Sequence, residues 1–237
     1  MYRKFLKRFF DIICALAVFL FLWPVFIVVA VLVKIKLGGP IIFKQLRPGK
    51  DGRMFYIYKF RTMKIQKDAH GNDFPDSERM TKFGERLRRT SLDEIPEAWN
   101  ILKGDMSVIG PRPLLVKDYV FFSDEIKHRQ DVRPGLSGLA QVNGRNSISW
   151  EKKFEYDLEY VKKITFWKDF KIVMKSIYQA FFKRNKEINK DGFVTDENYG
   201  DYLLRTRKIT QEEYKMTIVD SYLIIGLREN KDAWPNH

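Results

Sequence analysis

Cysteine is nearly absent. Cys14 is the one thiol in 237 residues, so no internal disulfide forms and no thiolate cluster holds a metal. Histidine is also scarce. His70, His128 and His237 are scattered, which opposes a His-cluster metal site and gives a Ser-His-Asp triad no support. The chain contains no Walker pattern and no G-x-G-x-x-G, which excludes the common glycine-rich phosphate cradles. It has no Asp-x-Asp and no internal repeat, so solenoid architectures are excluded too.

Positive charge is abundant. The net charge is +13, unevenly placed. Residues 184–237 carry 9 Lys/Arg against 10 Asp/Glu, which leaves residues 1–183 with 34 against 20. A basic body calls for anionic company: nucleic acid, an acidic membrane surface or phosphate-bearing substrates. Hydrophobic residues at 45% and charged residues at 31% are ordinary for a folded protein, and the length supports a real core.

From Ile12 to Val33 run 22 residues without a charge. As a straight helix they would cover roughly 33 Å, enough to cross a bilayer. The run is too long for a cleavable signal peptide, and no small-residue cleavage site follows. Pro24 interrupts its middle, where it removes one backbone hydrogen bond. Both flanks are basic: Arg3, Lys4, Lys7 and Arg8 before it, and Lys34, Lys36, Lys44 and Arg47 after it. The positive-inside rule places both flanks in the cytoplasm, and a helix that bends at Pro24 and returns to the same face satisfies both features. A simple span and a buried soluble helix are the alternatives. Asp11, at the edge of the run, reads as an interfacial ion pair with Lys7 or Arg8.

Gly38-Gly39-Pro40 ends the helix. "PIIFKQ" and "RMFYIYKFRTM" read as two strands joined by a Pro/Gly turn. Alternation puts Phe55, Ile57, Lys59 and Arg61 on one face of the second strand, so the two cations point the same way. Residues 64–80 read as a polar loop. "TKFGERLRR" reads as a short basic helix. "LLVKDYVFFSDEIKHRQ" and "WEKKFEYDLEYVKKI" read as further helices, and residues 132–147 as a Gly-rich loop region carrying Arg133, Gln141, Asn143 and Arg145. In "TFWKDFKIVMKSIYQAFFKR" the aromatic stripe Phe166, Trp167, Phe170, Met174, Ile177, Phe181 and Phe182 alongside four lysines fits a membrane-interface helix. Thr210 with Glu213 marks a helix start in the tail.

The chemistry concentrates in "RRTSLDEIPEAWN", Arg88 to Asn100. Ser91 and Glu94 fit a capping box, a purely structural role. Pro96 argues otherwise, because from a Ser91 cap it would be the fifth helical residue, where its N–H is needed. If Asp93 is the cap, Pro96 falls in the first turn, where no bond is lost. The helix is then expected to begin at Asp93, with the acid pair at a mouth that attracts phosphate. Nearby cations would have to offset the repulsion: Lys59, Arg61, Arg88, Arg112, Arg133 and Arg145 are candidates, and a divalent metal is another. Arg112 sits between two prolines, which pre-sets a guanidinium suited to two phosphate oxygens. Spacing alone leaves a phosphoryl-transfer site and a structural helix start both open.

Together "KRFFDIICALAVFLFLWPVF", "GGPIIFKQLRPGKDGRMFYIYKFRTM", "RRTSLDEIPEAWNILKGDMSVIGPRPLL" and "VRPGLSGLAQVNGRN…FEYDLEYV" resemble the bacterial sugar transferases, specifically the small monotopic phosphoglycosyl transferases, over about residues 3–183. The resemblance implies an α+β, mostly helical fold. It has a re-entrant membrane helix hairpin (1–36) and a catalytic core (37–183) with a short β-hairpin and amphipathic interfacial helices. Residues 184–237 form an appendage of unassigned role. It implies Asp93 as nucleophile on a UDP-sugar, with UMP leaving and the phosphosugar passing to a membrane polyprenol (undecaprenyl) phosphate. Glu94 would support Mg2+ with Asp93. Lys59, Arg88, Arg112 and Arg145 match basic positions near phosphates or nucleotide, with Arg133 and Gln141 in the same loop region. Asp157 matches an acid in a Phe-x-x-Asp-x-x-Tyr stretch whose role is open. The implied location is the cytoplasmic face of a bacterial inner membrane. Membrane lipids are implied partners, and association with further copies or downstream glycosyltransferases is left open. One departure is Trp23-Pro24, where small members often carry Ser-Pro.

Three rivals exist. A conventional nucleotide-sugar glycosyltransferase is opposed by the missing Asp-x-Asp. A nucleic-acid binder fits the charge but no motif, and the apolar run opposes it. A membrane scaffold would leave Asp93 as a mere cap.

Overall fold

A computed structural model describes residues 2–68, 74–144, 148–182 and 197–233. Its contacts divide the chain into two units: residues 1–45 with 56–108, and residues 46–55 with 109–237. The strands β1 (Ile42–Pro48) and β2 (Met54–Phe60) pair as the expected hairpin, its base in the first unit and its tip in the second.

In the first unit a π-helical turn, Tyr2–Leu6, leads into α1, Lys7–Leu37. This helix is long and apolar enough to cross a membrane. It runs through Pro24 without an assigned break, where the sequence suggests a bend. Burial is confined to its two ends: Asp11 and Ala15 near the start, Val29 and Val33 near the exit. Between them Leu20, Phe21, Trp23, Ile27 and Val28 are exposed. Val29 and Val33 pack with Phe60, Leu87 and Ile95 into an apolar cluster. Each such side chain contributes about 1.5–3 kcal/mol when fully buried.

Both ends of α1 are fastened by polar bonds. At the start, Arg8 donates to the carbonyls of Ile101 (2.6 Å) and Leu102 (2.9 Å). Asp11 accepts from Ser107 Oγ and the Val108 N–H, each at 2.9 Å. Its partners are therefore core groups ninety-odd residues away as well as its helical neighbours. At the exit, the last turn leaves carbonyls that need donors. Arg61 supplies them, donating to the carbonyls of Leu37, Gly38 and Gly39. Arg61 is thus a buried helix cap, and the reading of it as a phosphate-facing cation is corrected.

The remaining elements of this unit are α2 (Asp76–Arg79), α3 (Lys82–Thr90), a 3-10 turn (Leu92–Glu94), α4 (Glu97–Lys103) and most of β3 (Ser107–Ile109). Thr81 caps α3 by accepting from the Gly84 N–H at 3.0 Å. Gly84 is required there: a Cβ would lie 1.8 Å from the Thr62 carbonyl.

In the second unit the stretch read as one helix after Leu114 is broken. It forms α5 (Val116–Tyr119), α6 (Asp124–Lys127) and a 3-10 turn (His128–Asp131). Ser123 explains the restart, because its hydroxyl accepts from the Ile126 N–H and caps α6. Next come β4 (Gly135–Ser137), paired with β3, and one turn of α7 (Leu139–Val142), which order part of the Gly-rich region. The helices α8 (Trp150–Lys162), α9 (Phe166–Phe182), α10 (Tyr199–Arg205) and α11 (Gln211–Ala233) complete it. On α9, Phe166, Trp167, Phe170, Met174 and Ile177 face outward, while Asp169 and Ile172 are buried. The side chains of Phe181 and Phe182, and residues 183–196, lie outside the described residues. Thr210 and Glu213 make the expected reciprocal cap of α11: Glu213 N–H to Thr210 Oγ1 at 3.2 Å, and Thr210 N–H to Glu213 Oε2 at 2.7 Å.

Candidate active site

Ser91 adopts the left-handed conformation (φ 54°) and ends α3, and its side chain caps nothing. The capping-box role is therefore absent. Asp93 does not open an α-helix either. It lies in the 3-10 turn, and α4 starts four residues later with Pro96 at its N-cap. The physical reason agrees with the sequence argument about proline, displaced by three residues: Pro96 needs no N–H partner at the very start of a helix.

The turn places Asp93 inward, with 7% of its surface exposed. Burial pushes its carboxyl up to about 6, the neighbouring Glu94 adds to this, and Lys59 and Arg88 oppose it. Lys59 Nζ lies 2.8 Å from Glu94 Oε1 and 3.0 Å from Glu97 Oε1. Glu97 is buried and was not foreseen. In the sequence it reads as an ordinary acid in the first turn of a helix. Its signal is positional, since it follows Glu94 by three positions, which puts both on one side of a helical turn.

The strand and helix that bring these groups together are joined by Asn100. This residue is fully buried on α4, and its amide continues the edge of β2. Asn100 Oδ1 accepts from the Tyr58 N–H at 3.0 Å, and its Nδ2 donates to the Tyr56 carbonyl at 2.7 Å. The pairing mimics a neighbouring strand and fixes β2 beside α4, one residue from Lys59. Arg88 is exposed, and its Nε donates to Thr62 Oγ1 at 3.0 Å. The first unit thus unites Lys59, Arg88, Asp93 and Glu94, and adds Glu97.

The other sequence-derived residues belong to the second unit. Arg112 is exposed on its Pro-Arg-Pro loop, and Arg133 is half-buried. Gln141 donates to the Leu136 carbonyl at 3.1 Å. Asp157 is buried, and its Oδ2 accepts from Arg129 Nη2 at 2.7 Å and Nε at 3.2 Å. Arg129 was likewise not foreseen. Arg145 lies outside the described residues.

Residues 2–183 match the bacterial sugar transferase family. The sugar transferase EpsL of Bacillus subtilis is 41% identical over 194 residues, covering 82% of this chain and 95% of EpsL. The UDP-glucose:undecaprenyl-phosphate glucose-1-phosphate transferase of Escherichia coli is 38% identical over 196 residues, covering 77% of this chain and 41% of that protein. The undecaprenyl-phosphate galactose phosphotransferase of Salmonella typhimurium is 35% identical over 190 residues, covering 73% and 40%. The chain therefore spans about two-fifths of the length of these last two relatives. With Asp93 buried beside Glu94 and an apolar helix secured to the same unit, it is a membrane-associated transferase. The chain belongs to the bacterial sugar transferase family.

Proposed function

We propose that this chain is a phosphoglycosyl transferase that moves a sugar-1-phosphate from a UDP-sugar to polyprenol (undecaprenyl) phosphate, opening the membrane stage of polysaccharide or glycoprotein glycan assembly. The observation that carries the reading is the buried carboxylate of Asp93, opposed by Glu94 and steadied by Lys59 and Arg88. The relatives' names supply the classes of donor and acceptor.

A carboxylate oxygen of Asp93 attacks the β-phosphorus of the UDP-sugar. The bond from that phosphorus to the bridging oxygen breaks, and UMP leaves with the bonding pair. A phosphosugar ester on Asp93 remains. A phosphate oxygen of the polyprenol phosphate then attacks the same phosphorus and releases the Asp93 carboxylate, giving a polyprenyl diphosphate-sugar. A buried carboxylate is poorly solvated, so little water must be stripped from it before it attacks. Lys59 holds Glu94 and Glu97 in place beside it. Arg88, Arg112, Arg133 and Arg145 are assigned to the diphosphate and nucleotide, with Gln141 in the same loop region.

Asp93 and Glu94 would hold Mg2+. Among the described residues no three His, Cys, Asp or Glu side chains converge on a metal position. Two adjacent carboxylates fit an ion that takes one or two from the protein and the rest from substrate phosphates. When bound, it supplies neutralisation of the diphosphate charge. Incubation with UDP-sugars and Mg2+, without lipid acceptor, is expected to give a covalent phosphosugar adduct by intact-protein mass spectrometry. Asp93→Asn is expected to abolish it. An adduct that survives this change removes Asp93 from the role, and no adduct with any sugar returns the scaffold reading.

The helix α1 is proposed to dip into the cytoplasmic leaflet of the inner membrane and return, with Pro24 at its turning point. Its 31 residues would reach about 46 Å if straight, beyond a hydrocarbon core of about 30 Å. Both its ends are bonded to the same folded unit, which supports a single side for both flanks. The outward aromatic face of α9 is assigned to the lipid interface. Single cysteines at positions 2 and 40 are expected to react with an impermeant reagent from one face of sealed vesicles. Labelling from opposite faces would establish a span.

A further inference from the structure

The Pro-Arg-Pro loop is held by its backbone while its arginine is presented outward. The Ile109 carbonyl lies 3.2 Å from the Tyr160 hydroxyl. The Gly110 N–H donates to the Ser137 carbonyl, and the Gly135 N–H to the Pro111 carbonyl, both at 2.9 Å. Gly110 admits this close approach, because a Cβ there would lie 2.4 Å from the Arg133 carbonyl. The Pro113 carbonyl accepts from Arg47 Nη1 at 3.3 Å. The Arg112 carbonyl accepts from Arg129 Nη2 at 2.7 Å. Four of the five peptide groups between Ile109 and Leu114 are thereby fixed around one exposed arginine.

Arg129 is an expensive way to hold one carbonyl. It is 2% exposed, and a buried guanidinium needs a counter-charge. Asp157 provides it, through the 2.7 and 3.2 Å contacts to two of its nitrogens. The guanidinium lies over the rings of Phe122 and Phe154, 5.5 and 5.9 Å from their centroids. Phe154, Asp157 and Tyr160 recur at three-residue spacing, so they share one face of α8. The whole Phe-x-x-Asp-x-x-Tyr face thus reaches the segment from Ile109 to Arg112: Tyr160 directly, and Asp157 and Phe154 through Arg129. The carboxylate of Asp157 is committed to this pair and is not turned to solvent.

We propose that Asp157 and Arg129 are positioning residues that fix the backbone of Arg112 so that its guanidinium meets the diphosphate of the nucleotide in one orientation. This rests on the assignment of Arg112 to that phosphate. It removes Asp157 from the substrate-contacting set and gives the Phe154–Tyr160 motif its role. A loop pinned between two prolines but unbonded at the central carbonyl could still rotate its peptide planes. The Arg129 donor removes that freedom before substrate arrives, and pre-organisation of this kind appears in affinity rather than in new contacts.

The test is a double-mutant cycle read by UDP binding to the full chain in detergent micelles. The pair is replaced together, by Arg129→Met with Asp157→Leu, because removing one partner would strand a buried charge. Arg112→Ala is expected to weaken UDP binding about 10- to 100-fold, the worth of a charge-assisted phosphate contact. The pair variant is expected to approach that loss, and in an Arg112→Ala background to add nothing. Arg129→Lys, which keeps the charge beside Asp157 but loses the planar fork, is expected to weaken binding in the same Arg112-dependent way, and it serves if the apolar pair does not fold. Independent, additive losses would overturn the positioning role while leaving Arg112 as a phosphate ligand. Unchanged affinity on Arg112→Ala would overturn the assignment of Arg112 and the positioning with it.

Discussion

Asp93→Asn is expected to give a more stable protein that makes no phosphosugar adduct. The carboxyl of Asp93 is raised to about 6 in the folded chain, against an ordinary value of 3.8. Between those two pH values the folded state binds more protons than the unfolded state. Stability therefore falls as pH rises from about 4 to about 6, and the deficit is fully present above that. An asparagine carries no such deficit. At pH 7.5 in EDTA, Asp93→Asn should gain on the order of 1–3 kcal/mol, seen as a thermal midpoint several degrees higher. The gain should vanish below about pH 4, where the wild-type carboxyl is protonated in both states. A midpoint that is unchanged at pH 7.5, or that rises equally at pH 4, would show that Asp93 carries no electrostatic penalty. On the proposed mechanism the same ionisation limits the chemistry, since only the carboxylate would attack. With Mg2+ present, adduct formation should decline as pH falls, with its midpoint below about 6 because a cation beside the carboxylate favours the ionised form.

Lys59→Met is expected to cost more than any other single change at the site. Lys59 is 17% exposed and bridges Glu94 to Glu97, whose side chain is 3% exposed. Removing it leaves Glu94 and Glu97 without their shared cation. Breaking a buried pair on one side costs about 3–5 kcal/mol. It also removes a group that favours ionised Asp93, so the acid limb of adduct formation should move to higher pH. The combination Lys59→Met with Glu97→Gln should recover part of the stability without restoring the adduct. Thermal unfolding and mass spectrometry measure the two effects separately. Full recovery of adduct by the double variant would mean that Lys59 acts only to neutralise Glu97.

The features legible in the sequence were those written in local pattern. The apolar run of α1, the alternation and Pro/Gly turn of β1–β2, and the Thr210–Glu213 cap each depend on residues within a few positions of one another. The acid pair was legible because Pro96 constrains where a helix can start, though the α-helix begins at Glu97 and not at Asp93. What escaped was set by partners far along the chain. Glu97 meets Lys59 thirty-eight positions away, and Arg129 meets Asp157 across twenty-eight. Arg129 lies in "EIKHRQ", a run that looks solvated, and only the packing of α8 against it makes it a core residue. Arg61 follows Lys59 by two residues, and strand alternation alone groups the two as cations for phosphate. The glycines after α1 held the missing clue, because a helix ending there leaves carbonyls for a donor to find.

That arrangement ties depth to chemistry. Lys59 grips the acids of the site, and Arg61, two residues on and about 6.6 Å along the strand, grips the exit of α1. If α1 dips into the bilayer as proposed, one short rod would set both how far the helix sits in the lipid and how high Asp93 stands above it. On that reading a lipid phosphate bound for the ester on Asp93 would arrive at a fixed altitude, and a bilayer thin or thick enough to lift α1 would detune the reaction without touching a single reacting atom.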